Sequence, residues 1–98
     1  MSNPLFVFAK FKAKKDKVSE MKALLNQFSH DTLRNENGCI TYNYLQSRED
    51  ETIFTSAEVW VNEKAEAAHW DTNHLKELLK VFPDVSEGDV EVTKYNRI

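Results

Sequence analysis

The sequence has few of the residues on which several common kinds of site depend. A single cysteine, Cys39, rules out an intrachain disulfide and a C-x-x-C metal motif. The only two glycines, Gly38 and Gly88, stand too far apart to form a loop that cradles phosphate groups. No serine lies in the G-x-S-x-G context of a hydrolase nucleophile. We therefore expect neither nucleotide-dependent chemistry nor a serine nucleophile of that type.

Positive charge and long apolar segments are also scarce. The 13 lysine and arginine residues are outnumbered by 16 aspartate and glutamate residues, which gives a net charge of −3. Such a chain has no basic field for a phosphate backbone, so we expect no nucleic-acid partner. No apolar run approaches the ~20 residues that cross a bilayer, and the N terminus lacks the pattern of a secretory signal. We expect a cytoplasmic protein without a membrane partner.

What the sequence does contain is enough for one small domain, residues 1–98. A chain of 98 residues, 41% of them hydrophobic, buries roughly two-thirds of its unfolded surface around one core. The segment 4–13, PLFVFAKFKA, is short and rich in Phe and Val, which predicts a first strand. A helix is predicted to follow, with Asp16 as its N-cap and Gly38 as a left-handed residue beyond its end. Its apolar residues recur at helical spacing: Val18, Met21, Leu24, Leu25 and Phe28.

The second half of the chain predicts a hairpin, a second helical region and a last strand. Segments 39–47 and 52–61 have the β-branched and aromatic residues of strands and flank a polar turn. Asn62 is the expected N-cap of the helical region, which a DTN segment interrupts and Pro83 ends. In 88–98, valines alternate with polar residues as in an edge strand. The predicted inward positions of the helical region are Ala65, Ala68, His69, Thr72, Leu75, Leu78, Leu79 and Phe82.

The order β-α-β-β-α-β predicts a ferredoxin-like α+β fold, in which helices cover one face of an antiparallel sheet. The centre of the first strand, residues 5–9, is apolar on both faces, and so is much of the third strand. The uncovered face therefore needs a partner, and a second copy of the same sheet is the simplest one. We predict a homodimer whose sheets pack face to face.

The segments NGCITYNY and AEVWVNEKAEAAHWDTNH resemble the antibiotic biosynthesis monooxygenase (ABM) domain family. That family commonly has a Gly-Cys pair with a tyrosine three residues later. It also has a Glu-x-Trp on the third strand, followed by two histidines at spacings of nine and five residues. Element order and length extend the resemblance over nearly the whole chain. The matching residues here are Gly38, Cys39, Tyr42, Glu58, Trp60, His69 and His74.

The resemblance implies a dimeric α+β barrel with a pocket between sheet and helices in each subunit. Characterised relatives oxidise hydroquinones or aromatic polyketides with O2 and use no metal or flavin, whereas others degrade haem or isomerise a phosphorylated signalling sugar. Haem-degrading members carry an asparagine on the first strand where this chain has Phe11. The sugar-processing branch tends to replace the tryptophan that is Trp60 here. Both departures favour a quinol-oxidising enzyme.

His69 is the predicted catalytic residue. Its place beside small alanines on an inward helix face fits a core histidine bonded to a backbone carbonyl. It fits equally a general base or a hydrogen-bond donor that orients the substrate. Trp60 fits a core filler and a wall of an aromatic pocket equally well, and the strand-three face that meets the helices is left open. The predicted substrate-binding residues are Phe11, Phe54, Ser56, Trp60 and His74.

Three further polar residues on the strands have structural interpretations. Glu58 lies on a half-buried strand, where we expect a carboxylate to form an ion pair, with Lys10 or Arg97 as the candidate partners, or a dimer contact. Tyr42 and Tyr44 share one face of the second strand because strand side chains alternate. Dimer packing is the favoured role for the two tyrosines, and lining of the pocket is the alternative.

No metal or other cofactor is predicted. Five residues separate His69 from His74, and in a continuous helix they turn the chain by about 500°, which leaves the two rings roughly 140° apart. His30 lies in the other predicted helix and belongs to no ligand-spaced cluster. The H-E-x-x-H motif of zinc enzymes is absent.

The function that these observations favour is a cofactor-independent monooxygenase that oxidises a small hydroquinone-like or polyphenolic compound with O2. Three alternatives use the same scaffold. One is a ligand-binding or stress-associated module without turnover. Another is a haem-binding or haem-degrading protein with His69 as the axial ligand. The last is a relative of the signal-sugar isomerases.

Overall fold

Four strands and three helices follow one another in the order βαββααβ. The computed structural model describes residues 3–98. The predicted ferredoxin-like α+β class is confirmed, although the second helical region is two helices. The strands are β1 (Leu5–Ala13), β2 (Cys39–Gln46), β3 (Ile53–Trp60) and β4 (Ser86–Asn96), and the helices are α1 (Val18–Asn35), α2 (Glu63–His69) and α3 (Asn73–Val85).

The strands form one antiparallel sheet in the order β2-β3-β1-β4. Val7 at the centre of β1 pairs with Glu58 on β3 and with Lys94 on β4. Paired residues of neighbouring strands point to the same face of a sheet, so these three side chains lie beneath the helices. Phe54, Ser56 and Trp60 share that face by the two-residue period of β3, and all three are buried. The sequence did not determine which face of β3 meets the helices, and the structure shows that it is the face with Glu58 and Trp60.

Helix α1 packs on the sheet through the stripe that its sequence predicts. Met21, Leu25, Phe28 and Thr32 are buried along one side, with polar residues on the other. The predicted caps are wrong at both ends. The N-cap is Lys17, without a side-chain hydrogen bond, and the helix ends at Asn35 with the next residue in an extended conformation.

Gly38 is required by close packing of the backbone against Ala65, and it does not adopt a left-handed conformation. Among the described residues, Gly88 is the glycine with a positive φ, at 75°. A Cβ placed on Gly38 would lie 2.5 Å from the Cβ of Ala65, a distance that real carbon atoms do not adopt. Gly38 therefore lets α2 approach the start of β2, and this approach carries the end of α2 toward the segment that follows α1.

A break between α2 and α3 sets the direction of the second helical region. Asn62 caps α2 as predicted, and its side-chain oxygen accepts a hydrogen bond from the N–H of Ala65 at 2.8 Å. Thr72 is the N-cap of α3, so the chain changes direction after only seven helical residues of α2. Two predictions fail here. Ala68 is exposed whereas Glu66 is buried, and α3 continues past Pro83 to Val85.

The face of the sheet that points away from the helices is uncovered and partly apolar. Phe8 and Tyr95 pack edge to face on it, with ring centroids 5.7 Å apart. Arg97 lies over the ring of Phe6, 5.2 Å from its centroid. Leu45 and Tyr95 are each about half exposed. Within residues 3–98, none of the helices combines the length and the apolar character that crossing a membrane requires.

Candidate functional site

A cavity of about 190 Å³ lies between the helix-facing side of the sheet and the three helices. Most of its wall is apolar, with aromatic rings from α1, β1 and β2. Four side chains with polar groups converge on it, which is the arrangement typical of a small-molecule site. The polar set is Tyr42, Tyr44, Glu58 and His69, and the apolar set includes Val7, Phe11, Phe28, Leu75, Leu78, Phe82, Val90 and Val92.

His69 is held at the cavity wall by Glu36, a residue that the sequence did not predict as part of the site. Its Nδ1 lies 2.6 Å from Oε2 of Glu36, the residue that follows α1. Nε2 of His74 lies 2.7 Å from the same oxygen. The predicted divergence of the two histidine rings is wrong because α2 and α3 are not one helix. The turn between them brings His74 back toward Glu36, and the ring centroids of the two histidines are 6.0 Å apart.

The shared carboxylate oxygen determines which nitrogen of His69 is free. An ionised carboxylate only accepts hydrogen bonds, so each imidazole donates an N–H to Glu36. In the neutral form of His69, the proton therefore lies on Nδ1 and Nε2 keeps the lone pair. Because His69 itself lines the cavity, Nε2 is the nitrogen available to a bound molecule. The carboxylate orients the imidazole and stabilises the imidazolium that forms when Nε2 accepts a proton.

Trp60 supports His69 from behind and does not line the cavity. Its side chain is completely buried, and its ring centroid lies 4.8 Å from that of His69. The indole N–H donates to Oε1 of Glu58 at 3.0 Å. The indole thus packs against the imidazole ring of His69, and its N–H orients the carboxyl group of Glu58, which faces the cavity.

Glu58 forms no ion pair with its predicted partners. Its carboxylate accepts hydrogen bonds from Ser56 Oγ and Trp60 Nε1. The candidate cations, Lys10 and Arg97, lie on the other face of the sheet, where Arg97 contacts Phe6. Burial raises the pKa of the Glu58 carboxyl, and this effect outweighs the two hydrogen bonds, which lower it. The cavity therefore contains a carboxyl group whose charged form is disfavoured.

Two tyrosines form the hydroxyl-bearing part of the cavity. The Tyr42 and Tyr44 oxygens are 3.1 Å apart, and both rings pack against Phe28 beneath α1. The predicted dimer role is therefore wrong, since these rings face the helices. Burial raises the pKa of both phenols, so each remains a neutral hydroxyl at physiological pH. One hydroxyl hydrogen of the pair remains for a ligand, because the other is used between them.

The remaining predicted substrate-binding residues are distributed around the cavity. Phe11 lines it. Phe54 stacks on Phe11 with 6.0 Å between centroids and belongs to a second group of buried residues. The Ser56 hydroxyl donates a hydrogen bond to Glu58 and accepts one from the N–H of Ala9 at 3.0 Å, and it does not line the cavity. His74 borders a separate groove between α1 and α3. The structure thus places two of the six predicted site residues, Phe11 and His69, on the cavity wall.

The mouth of the cavity lies between α2, α3 and the edge strand β4. Trp70, Leu79, Val90 and Val92 are wall residues that are also 41–49% exposed. The buried Glu66 accepts a hydrogen bond from the Trp70 indole N–H at 2.8 Å and from the Lys94 ammonium at 3.0 Å. These contacts fasten α2 to β4 beside the opening.

Cys39 lies near this site but is chemically protected. Its Sγ is 3.4 Å from the carbonyl oxygen of Thr41. Burial raises the pKa of the thiol to about 12, and the carboxylates of Glu36 and Glu58 contribute to the same direction. The thiol is therefore not a nucleophile at neutral pH.

Comparison with known proteins gives a consistent assignment. The family model described as "Antibiotic biosynthesis monooxygenase" matches residues 4–81. An uncharacterized protein of Synechocystis is 31% identical over 93 residues, which is 95% of this chain but 63% of that protein's length.

Solved structures share the fold. A conserved protein from Methanosarcina mazei is 29% identical, with a TM-score of 0.90 over 98% of this chain and 94% of its own. A protein from Shewanella oneidensis is 26% identical, with a TM-score of 0.89 over 99% and 93%. A Nitrosomonas europaea protein, provisionally described as an antibiotic biosynthesis monooxygenase, is 22% identical, with a TM-score of 0.92 over 100% and 93%. The chain belongs to the antibiotic biosynthesis monooxygenase family.

Proposed function

We propose that this protein is a cofactor-independent monooxygenase that oxidises a small quinol with O2, and that His69 is its general base. The observation that supports the proposal most directly is the Glu36–His69 pair at the wall of an apolar, aromatic cavity. O2 reacts slowly with closed-shell organic molecules, but an electron-rich phenolate reduces it directly. The protein then has to remove a proton, hold the ring and exclude water.

The reaction assigns a role to each polar group of the cavity. Nε2 of His69 accepts the proton of a substrate hydroxyl, and Glu36 stabilises the imidazolium. The phenolate passes one electron to O2, and the radical pair joins at a ring carbon. Loss of water then leaves a hydroxyquinone, so one oxygen atom enters the ring, the other leaves as water, and the substrate supplies every electron. The Tyr42–Tyr44 pair and Glu58 are the groups that hold the second hydroxyl.

The size of the cavity restricts the proposed substrate. A cavity of about 150 Å³ holds benzene, so one of about 190 Å³ matches a single ring with small substituents. A compound with three fused rings would have to extend through the mouth past Trp70 and Val92. We therefore propose one-ring quinols as the substrate class, ahead of larger polyphenols.

The direct test is O2 consumption by the purified protein with a graded set of compounds. We expect uptake with methyl- or methoxy-substituted hydroquinones and release of the hydroxyquinone, identified by mass spectrometry. A three-ring anthrone should react at least tenfold more slowly. Absence of uptake with every compound would exclude the oxygenase, and recovery of an unchanged aromatic ligand from the cavity would then favour the binding module. A Soret band on addition of haemin that is lost in His69→Ala would favour the haem alternative.

We also propose that the protein is a homodimer joined through the uncovered face of its sheet. Apolar side chains from all four strands lie on that face, among them Phe8, Leu45, Val59 and Tyr95. An exposed apolar surface of this kind marks an interaction site, and a two-fold axis lets one patch cover itself. We expect sedimentation equilibrium at micromolar concentration to give twice the chain mass of 11.4 kDa. A mass equal to one chain would contradict the proposal. The Phe8→Asp variant should be more monomeric than the wild type at the same concentration.

A further inference from the structure

Glu36, His69 and His74 bring three potential metal ligands to one point. One ligand atom from each residue, the carboxylate oxygen and the two ring nitrogens, lies within 4.8 Å of the others. We propose that this triad is a binding site for one divalent transition-metal ion. The proposal concerns binding and does not depend on the oxygenase function.

The three residues come from separate segments that the fold has already positioned. Glu36 follows α1, His69 ends α2 and His74 lies in the first turn of α3. The break after α2, and not helical spacing, brings the two histidines to the same oxygen. Their side chains are 5–15% exposed. Most of the conformational entropy that a metal site requires is therefore already lost on folding.

Charge gives a second reason for a cation at this point. The Glu36 side chain is 10% exposed, and in the described part of the chain the partners within ion-pair distance of it are the two histidines. No lysine or arginine of that part reaches it. Burying a carboxylate is costly unless positive charge compensates it. A protonated histidine or a divalent ion would supply the missing charge, and only the ion can be held by all three groups at once.

The two oxygen–nitrogen distances are shorter than those between ligands of one metal ion. The two nitrogens lie 2.6 and 2.7 Å from the shared oxygen, which are hydrogen-bond lengths. Ligands of one tetrahedral ion with bonds of about 2.0–2.1 Å stand roughly 3.3 Å apart. A bound ion would therefore lengthen the two oxygen–nitrogen distances by about 0.6–0.7 Å, a change that we expect side-chain rotations to accommodate.

The donor set determines the class of metal. Two imidazole nitrogens and one carboxylate oxygen favour Zn²⁺, Co²⁺, Ni²⁺ or Fe²⁺ over Ca²⁺ and Mg²⁺, which prefer oxygen ligands alone. Three protein ligands also leave at least one coordination position for solvent. We expect Zn²⁺ and Co²⁺ to bind and Mg²⁺ not to bind.

Metal binding would change what His69 presents to the cavity. An ion on Nδ1 takes the lone pair there and places the ring proton on Nε2. His69 then becomes a hydrogen-bond donor toward the cavity and ceases to be a base. Zn²⁺ should therefore inhibit O2 uptake. This expectation, unlike metal binding itself, rests on the proposed oxygenase function.

The test is a calorimetric titration of the chelator-treated protein with Zn²⁺, together with visible absorption on addition of Co²⁺. We expect one ion per chain and a cobalt d–d band for the wild type. Glu36→Gln and His74→Gln should each weaken binding at least 100-fold, since loss of a ligand costs no less than loss of an outer partner. His30 is the matched control because it is the remaining histidine and is exposed on α1, so His30→Gln should bind as the wild type does.

Two results would overturn the proposal. One is the absence of both the calorimetric signal and the cobalt band in the wild type. The other is wild-type affinity in both Glu36→Gln and His74→Gln, each verified as folded by circular dichroism. Because His74 lies near the surface, His74→Gln remains informative even if Glu36→Gln fails to fold. No substrate is present in these measurements, so failure of the oxygenase function leaves their outcome interpretable.

Discussion

Replacement of His69 by glutamine is expected to lower the rate of O2 uptake by about 10²–10⁴-fold, the contribution of a well-placed general base. Glutamine can still donate an amide N–H toward Glu36 and occupies a similar volume. It cannot accept a substrate proton, so binding should persist while turnover falls. The loss should therefore appear in kcat and leave KM within a few-fold of the wild-type value. Initial rates of O2 consumption with a one-ring quinol measure both quantities.

His30→Gln is the control for this result, because it removes an exposed imidazole outside the cavity. It should retain the wild-type rate. Equal rates for His69→Gln and the wild type would show that the substrate ionises without a protein base, and the assignment of His69 would then be withdrawn.

Replacement of Trp60 by alanine is expected to lower the free energy of unfolding by about 3–5 kcal/mol. The side chain is fully buried and its indole N–H satisfies Glu58, so the variant leaves both a cavity and a carboxyl group without one of its donors. Each kcal/mol corresponds to roughly 4–8 °C in Tm for a domain of this size. We therefore expect Tm to fall by at least about 12 °C in a thermal melt followed by circular dichroism.

The second tryptophan of the chain supplies a matched comparison. Trp70 is 49% exposed and makes one hydrogen bond, to Glu66. Trp70→Ala should lower the free energy of unfolding by only about 1–2 kcal/mol. Trp60→Phe keeps one aromatic ring but removes the N–H and part of the buried volume, so we expect its stability to lie between those of the wild type and Trp60→Ala. If Trp60→Ala proved no less stable than Trp70→Ala, Trp60 could not be the central packing residue of this core.

The sequence predicted the order of elements because each element has its own local signal. The helical spacing of Met21, Leu25 and Phe28 identifies α1, and Asn62 marks the start of α2 through a cap that needs no distant partner. The C-terminal end of α1 was mispredicted because Gly38 is required by a contact with Ala65, 27 positions along the chain, and not by a local turn. A glycine that permits close approach and a glycine that permits a positive φ look the same in a sequence.

The candidate site was only partly predictable for a related reason. His69 could be placed on an inward face from its spacing with Ala65. Glu36 could not, because it lies in a polar NENG segment and meets His69 only through the tertiary fold. The orientation of β3 was equally undetermined, since Val59 and Trp60 are both apolar and alternate between the two faces. The DTN segment was the available signal for the helix break, and its consequence for His74 depends on the angle between α2 and α3.

The state of Cys39 has a consequence for the proposed reaction, whose product is a quinone. Quinones are electrophiles that add to thiolates and would alkylate an ordinary cysteine beside the place where they form. With a thiol pKa of about 12, the thiolate fraction at pH 7 is on the order of 10⁻⁵, compared with a few per cent for an ordinary cysteine. In the proposed enzyme, Cys39 would therefore be protected from arylation by the product. The same burial that makes the Cys39 thiol unsuitable as a nucleophile would allow the proposed enzyme to complete many turnovers without being modified by its quinone product.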